Sequence, residues 1–98
     1  MTHLNWLQQM AIEEVIDRAI RLHDSLIIEY CTRSGMIFSC RISDIEYSNF
    51  NGGGYILAFR EDLEADRTFK ICRILKVNGH AFRRIYWNQI GDDFKRIY

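Results

Sequence analysis

His23-Asp24-Ser25-Leu26-Ile27-Ile28-Glu29-Tyr30-Cys31-Thr32-Arg33-Ser34-Gly35 is where the chain changes period. Before it, Leu4, Leu7, Ala11 and Val15 recur at helical spacing, and Ile12, Ile16, Ala19 and Ile20 widen the same stripe. After it, short β-branched runs alternate with turn residues. The first part predicts an amphipathic helix from about Asn5 to Leu22. Thr2 or Asn5 is placed to cap it, with Gln8 three residues after Asn5. Glu14–Arg18 and Asp17–Arg21 are acid-to-base pairs in the favourable order. Trp6, near its start, is expected to pack under the barrel in the core, the alternative being that it faces a partner. Leu26 to Cys31 predicts a strand, and Thr32-Arg33-Ser34-Gly35 a turn.

Working outward, Met36 to Tyr47 predicts a second strand, long enough to bend, whose two faces separate imperfectly. Arg41 falls on its small, polar side. Ser48 to Gly54, with Gly52-Gly53-Gly54, is the strongest turn signal in the chain. Its spacing fits neither phosphate-binding fingerprint, and no helical pattern follows, so it reads as a hairpin turn. Tyr55 to Phe59 predicts a third strand, residues 61–66 an acidic connection, and Arg67 to Val77 a fourth strand. Asn78-Gly79 marks a type I′ hairpin, and His80 to Asn88 is a candidate fifth strand. Asp92 to Tyr98 reads as a tail. One helix and about five short strands are too few for a sandwich. They predict an α+β, mainly β domain: an N-terminal helix (1–24), then a small, strongly bent SH3-like or Sm-like β-barrel (25–90), with residues 91–98 as tail.

Composition bounds this reading. The 98 residues make one domain, 48% hydrophobic and 27% charged, with ordinary globular composition. No apolar run approaches the roughly 20 residues that span a bilayer, and no secretory signal is visible. Cys31, Cys40 and Cys72 are an odd number at wide spacing. They suggest neither a disulfide framework nor a zinc site, so a cytoplasmic setting is expected. The zero net charge hides an asymmetry. Residues 1–66 hold five Arg against eleven acids, whereas residues 67–98 hold eight Lys plus Arg against two Asp. That split implies either mutual packing of the two halves or a basic face for a phosphate-bearing partner.

The basic half opens with Arg67-Thr68-Phe69-Lys70-Ile71-Cys72-Arg73-Ile74. Arginine is costly to bury alone, so Arg67 and Arg73 are expected either to meet internal carboxylates (Asp44, Glu46, Glu64 or Asp66) or to await an anionic ligand. With Arg41 they offer planar, bidentate recognition of phosphate, and Tyr30, Tyr55 and Phe69 offer stacking surfaces. Unbroken pleating would place Arg67, Phe69, Ile71 and Arg73 on one side, whereas a bend would separate them. Lys70, Lys76, Arg83 and Arg84 read as a solvated face, the alternative being a non-specific nucleic-acid contact. His3, His23 and His80 are scattered, no catalytic or metal-ligand spacing stands out, and neither an enzyme nor a cofactor is expected. Phe82, Ile85, Tyr86, Trp87, Phe94 and Tyr98 make an aromatic-rich end that either completes the core or forms a homodimer interface.

In their order, these blocks resemble the WYL domain family. Ala19-Ile20 precedes the apolar strand ending in Tyr30, and Arg41-Ile42 matches the Arg-rich second strand. Gly54-Tyr55-Ile56, then Leu57-Ala58-Phe59, stands where the family has Trp-Tyr-Leu followed by small and aromatic residues. Residues 67–74 closely match the family's closing Arg-Thr-Phe-Arg-Leu-Asp-Arg-Ile. The resemblance covers roughly Ala11 to Val77. It departs at Gly54 for Trp, at Ile56 for Leu, and in lacking the proline after the second-strand Arg. It implies an Sm- or SH3-like barrel acting as a regulatory ligand sensor. The sensor would bind a nucleic acid or nucleotide-like anion through Tyr30, Arg41, Tyr55, Arg67, Phe69 and Arg73. The chain has one convincing helix and no helix-turn-helix, so the module implied is a stand-alone one. The alternative is a protein-interaction or oligomerisation module of a regulatory or phage-defence-associated complex.

Overall fold

The computed structural model describes residues 11–82. Helix α1 (Ile12–Leu22) precedes β1 (Leu26–Cys31), β2 (Ile37–Ser48), β3 (Tyr55–Arg60), β4 (Ala65–Lys70) and β5 (Ile74–Val77), with 3-10 turns at Phe50–Gly52 and Ile71–Arg73. The chain is thus α+β and mainly β, as its period change implies. The residues before Ala11, including Trp6, and the aromatic end beyond Phe82 lie outside the described residues.

In α1, Ile12, Ile16 and Ala19 face the core, flanked by Val15 and Ile20. Glu14 reaches back to accept the Ala11 N–H at 3.1 Å, and Glu13 and Glu14 sit in the first turn, where the helix dipole favours acids. The helix stops at His23, whose φ of 56° is left-handed. There Asp24 N–H bonds to Ala19 O at 2.9 Å.

All strand pairs are antiparallel, in the order β4-β3-β2-β1-β5. Along β1, Leu26, Ile28 and Tyr30 point inward, whereas Ile27, Glu29 and Cys31 lie on the outer side. β2 cannot alternate throughout because a bulge between Ser43 and Glu46 shifts its register against β3, with Asp44 at φ 49°. Ile42 and Ile45 therefore both reach the core. This is why the faces of β2 do not separate cleanly in sequence. The bulge also supplies the bend that rolls the sheet into a barrel-like shape.

Residues Arg67–Val77, expected as one strand, are two. β4 belongs to β3 and β5 belongs to β1, and the 3-10 turn between them crosses the open side of the barrel. The acidic connection is correspondingly shorter, since Ala65 and Asp66 already pair with Arg60 and Phe59. Among the described residues the fifth strand of the sheet is Ile74–Val77; most of the candidate strand from His80 to Asn88 lies outside the described residues. Among the described residues, His80 makes a single bridge to Val77. No ladder joins β4 to β5, so the sheet formed by the described residues is open along that seam. Tyr30 spans it: its hydroxyl accepts the Lys70 N–H at 2.9 Å, tying β1 to the end of β4.

Asn78 and Gly79 have φ of 51° and 83°, the two positive values a type I′ turn requires. Asn78 also accepts the Ile27 N–H on its side-chain oxygen at 2.9 Å and donates its own N–H to Ile27 O at 2.7 Å. Asn78→Ala loses the side-chain bond and places there a residue less tolerant of the left-handed conformation. It should cost about 1–1.5 kcal/mol in urea unfolding. Asn78→Gly, which keeps the backbone freedom, should cost less.

Cys31, Cys40 and Cys72 are all free; Cys40 is buried and the other two are half-buried. No helix of the described residues is long and apolar enough to cross a membrane.

Candidate functional site

The turn Glu61–Glu64 joins β3 to β4 so that Arg60 opposes Ala65, and by regular pairing Tyr55 opposes Lys70. That register builds the site. The Lys70 ammonium stands over the Tyr55 ring, 5.9 Å from its centroid. The Phe50 ring meets Tyr55 edge-on at 5.1 Å and is 55% exposed. Phe50 projects from the glycine-rich loop. There Asn51, Gly52, Gly53 and Gly54 all take positive φ, a run only glycine and asparagine adopt readily. Ile71 N–H then bonds to Gly54 O at 2.9 Å, pinning the 3-10 turn that carries Arg73 to the end of this loop. The product is an aromatic pair with the Lys70 ammonium over it, and the turn that carries Arg73 tied by its backbone to the same loop.

The six residues singled out from sequence divide. Tyr30 and Phe69 are brought together, their rings edge-to-face at 5.1 Å, but inside the core: Phe69 is 2% exposed and Tyr30 9%. Phe38 packs on Tyr30 at 5.8 Å. Burial raises the Tyr30 hydroxyl pKa, against the opposing pull of the Lys70 N–H and the Arg73 charge. Tyr30 and Phe69 therefore support the floor beneath Lys70. Tyr55 is the one aromatic of the six on the outer side, half-buried beneath Lys70. Arg73 is half-buried, its Nη1 3.5 Å from Thr32 O.

Arg41 is elsewhere. It lies with Ile27 on the outer face, donates to Ser25 Oγ at 3.1 Å, and stands 3.9 Å from the Glu61 carboxylate. Glu61 follows the far end of β3, roughly 17 Å along that strand from Tyr55. Arg67 is exposed about 10 Å along β4 from Lys70, with Nη1 on the carbonyl of Asp66 at 2.8 Å. The 3-10 turn separates it from Arg73, so the four-residue alternation from Arg67 to Arg73 does not persist.

Two residues gain roles that their local sequence does not announce. Lys70 reads as an ordinary solvated cation until the hairpin register places it opposite Tyr55. Arg60 forms a two-pronged pair with Asp62, at 2.7 and 3.0 Å, and its guanidinium lies 4.1 Å over the Phe38 ring. The Arg60 side of that pair holds the Asp62 carboxyl below its usual range. The short Arg-x-Asp spacing at the end of β3 carries that signal. With the acid at hand and the ring beneath, Arg60 closes the rim of the core rather than awaiting a ligand. No group of three metal-ligating side chains occurs among the described residues.

No protein-family model, curated protein or solved structure matches the chain.

Proposed function

We propose that the Phe50–Tyr55–Lys70–Arg73 end of the barrel binds a nucleic acid or nucleotide-like anion, and that the domain is a WYL-like regulatory module working by this binding rather than by catalysis. The observation that carries this reading is the Lys70 ammonium over Tyr55 beside an exposed Phe50. A base can stack on an aromatic side chain, worth about 1–3 kcal/mol per base, while its phosphate meets the neighbouring cations. The sequence resemblance adds Tyr55 and Arg73, two positions of the family pattern that fall at this end. Arg41 and Arg67 would then contribute to the field around the domain, not to contact. A regulatory protein partner would read the bound state.

One observation favours the alternative of a protein-interaction module. Ile27 and Ile37 lie exposed on the outer face of β1 and β2, where alternation would put polar residues. The readings separate in a fluorescence anisotropy titration with mononucleotides and short single-stranded DNA and RNA. Binding should weaken steeply with salt. Tyr55→Ala should lose about 1–3 kcal/mol. Lys70→Ala should lower the salt slope by about one. A folded wild-type domain that binds none of the panel at low salt would remove this reading and leave the interaction module.

A further inference from the structure

A cavity of about 280 Å³ lies between α1 and the Asn78-Gly79 hairpin. We propose that it is a second binding site, for a small zwitterion with an apolar body, of the kind represented by a free leucine-like amino acid. Its apolar lining comes from Val15 and Ala19 of α1, Leu26 at the start of β1, Val77 at the end of β5, and Phe82. Val15 neighbours both Arg18, three residues on, and Ala19, four residues on, and all three line the cavity, where the small Ala19 side chain leaves space. His80, whose ring stands 6.1 Å from that of Phe82, supplies one wall.

The charged part of the lining is mixed. Asp24 is fixed at the C-terminal end of α1 by its N–H bond to Ala19 O. Its carboxylate and the negative end of the helix dipole together attract an ammonium group. Arg18 brings a guanidinium to the same cavity. A ligand with one charge meets a like charge on this lining, whereas a zwitterion matches both. The apolar floor requires an aliphatic or aromatic body. The volume, just under the roughly 300–1,000 Å³ of drug-sized pockets, limits that body to about one side chain. The site is separate from the Tyr55 end, since Leu26 lies about 13 Å along β1 from Tyr30.

Isothermal titration of the full chain with leucine, leucinamide, 4-methylpentanoate and glycine tests this directly. Leucine should bind at least about tenfold more tightly than leucinamide or 4-methylpentanoate, and glycine should not bind. Asp24→Asn, an exposed substitution checked for folding by circular dichroism, should weaken leucine about tenfold and bind 4-methylpentanoate more tightly than the wild type does, because the like charge facing that carboxylate is gone. Equal affinity for the three apolar compounds, or no leucine binding up to about 10 mM, overturns the proposal. So does an Asp24→Asn variant that binds leucine as the wild type does.

Discussion

Ile56→Ala should destabilise the domain by about 3–5 kcal/mol, at the upper end of what a single core truncation costs. Ile56 is 0% exposed in β3, paired with Tyr47 of β2 on one side and Phe69 of β4 on the other. Truncation removes its transfer free energy and leaves a cavity that two flanking strands, held by their ladders, cannot close. Small domains have only about 5–15 kcal/mol in total, so the urea midpoint should fall sharply with little change in slope. Ile37→Ala is the control. Ile37 is 58% exposed on β2, and its loss should stay within about 0.5 kcal/mol. Similar costs at the two positions would mean that the inner and outer faces of the sheet are wrongly assigned.

Tyr30→Phe should cost about 2 kcal/mol while keeping the ring that packs on Phe38 and Phe69. The hydroxyl is what crosses the open side of the barrel to Lys70 N–H, and without it that donor loses its acceptor at a part-buried position. The variant should also bind anionic ligands more weakly, because Lys70 loses the bond that fixes its backbone beneath the ammonium group. Alkaline titration gives a second readout. Burial raises the hydroxyl pKa above its ordinary 10.0, so the folded state favours the neutral form. That contribution is complete below about pH 10 and is lost as pH rises through the folded-state value. Tyr47, raised by burial and by Asp17, adds a second contribution of the same sign. Wild type should therefore lose stability above about pH 10, and Tyr30→Phe should lose it less steeply. An unchanged alkaline slope would place the Tyr30 hydroxyl outside the seam.

The division between the helix and sheet was legible because two periods meet at His23, and the periods depend only on which residues are apolar. β1 was legible to the residue, since Leu26 to Cys31 alternates cleanly. The ends of β4 and β5 were not. Arg67 to Val77 has strand-like composition throughout, and only pairing to two different neighbours breaks it at Ile71. The bulge at Asp44 was hidden for a similar reason: an extra residue shows in sequence only as blurred alternation. For the candidate site, residue types were readable but side was not. Phe69 and Tyr30 belong to an aromatic-cationic set by composition and to the core by register. Lys70 entered the site only when the Glu61–Glu64 turn fixed Tyr55 opposite it. Arg41 illustrates the converse, since its Glu61 and Ser25 neighbours are distant in sequence and close in space.

Docking of anionic ligands at the Phe50–Tyr55–Lys70–Arg73 end is tested most directly by backbone amide resonances. An isotope-labelled domain would be titrated with a short single-stranded oligonucleotide. The amides of Phe50, Tyr55, Lys70 and Arg73 should shift together and saturate, while those of Arg41 and Glu61 stay in place. Shifts centred on Arg41, or none at the Tyr55 end at saturating ligand, would contradict docking at that end.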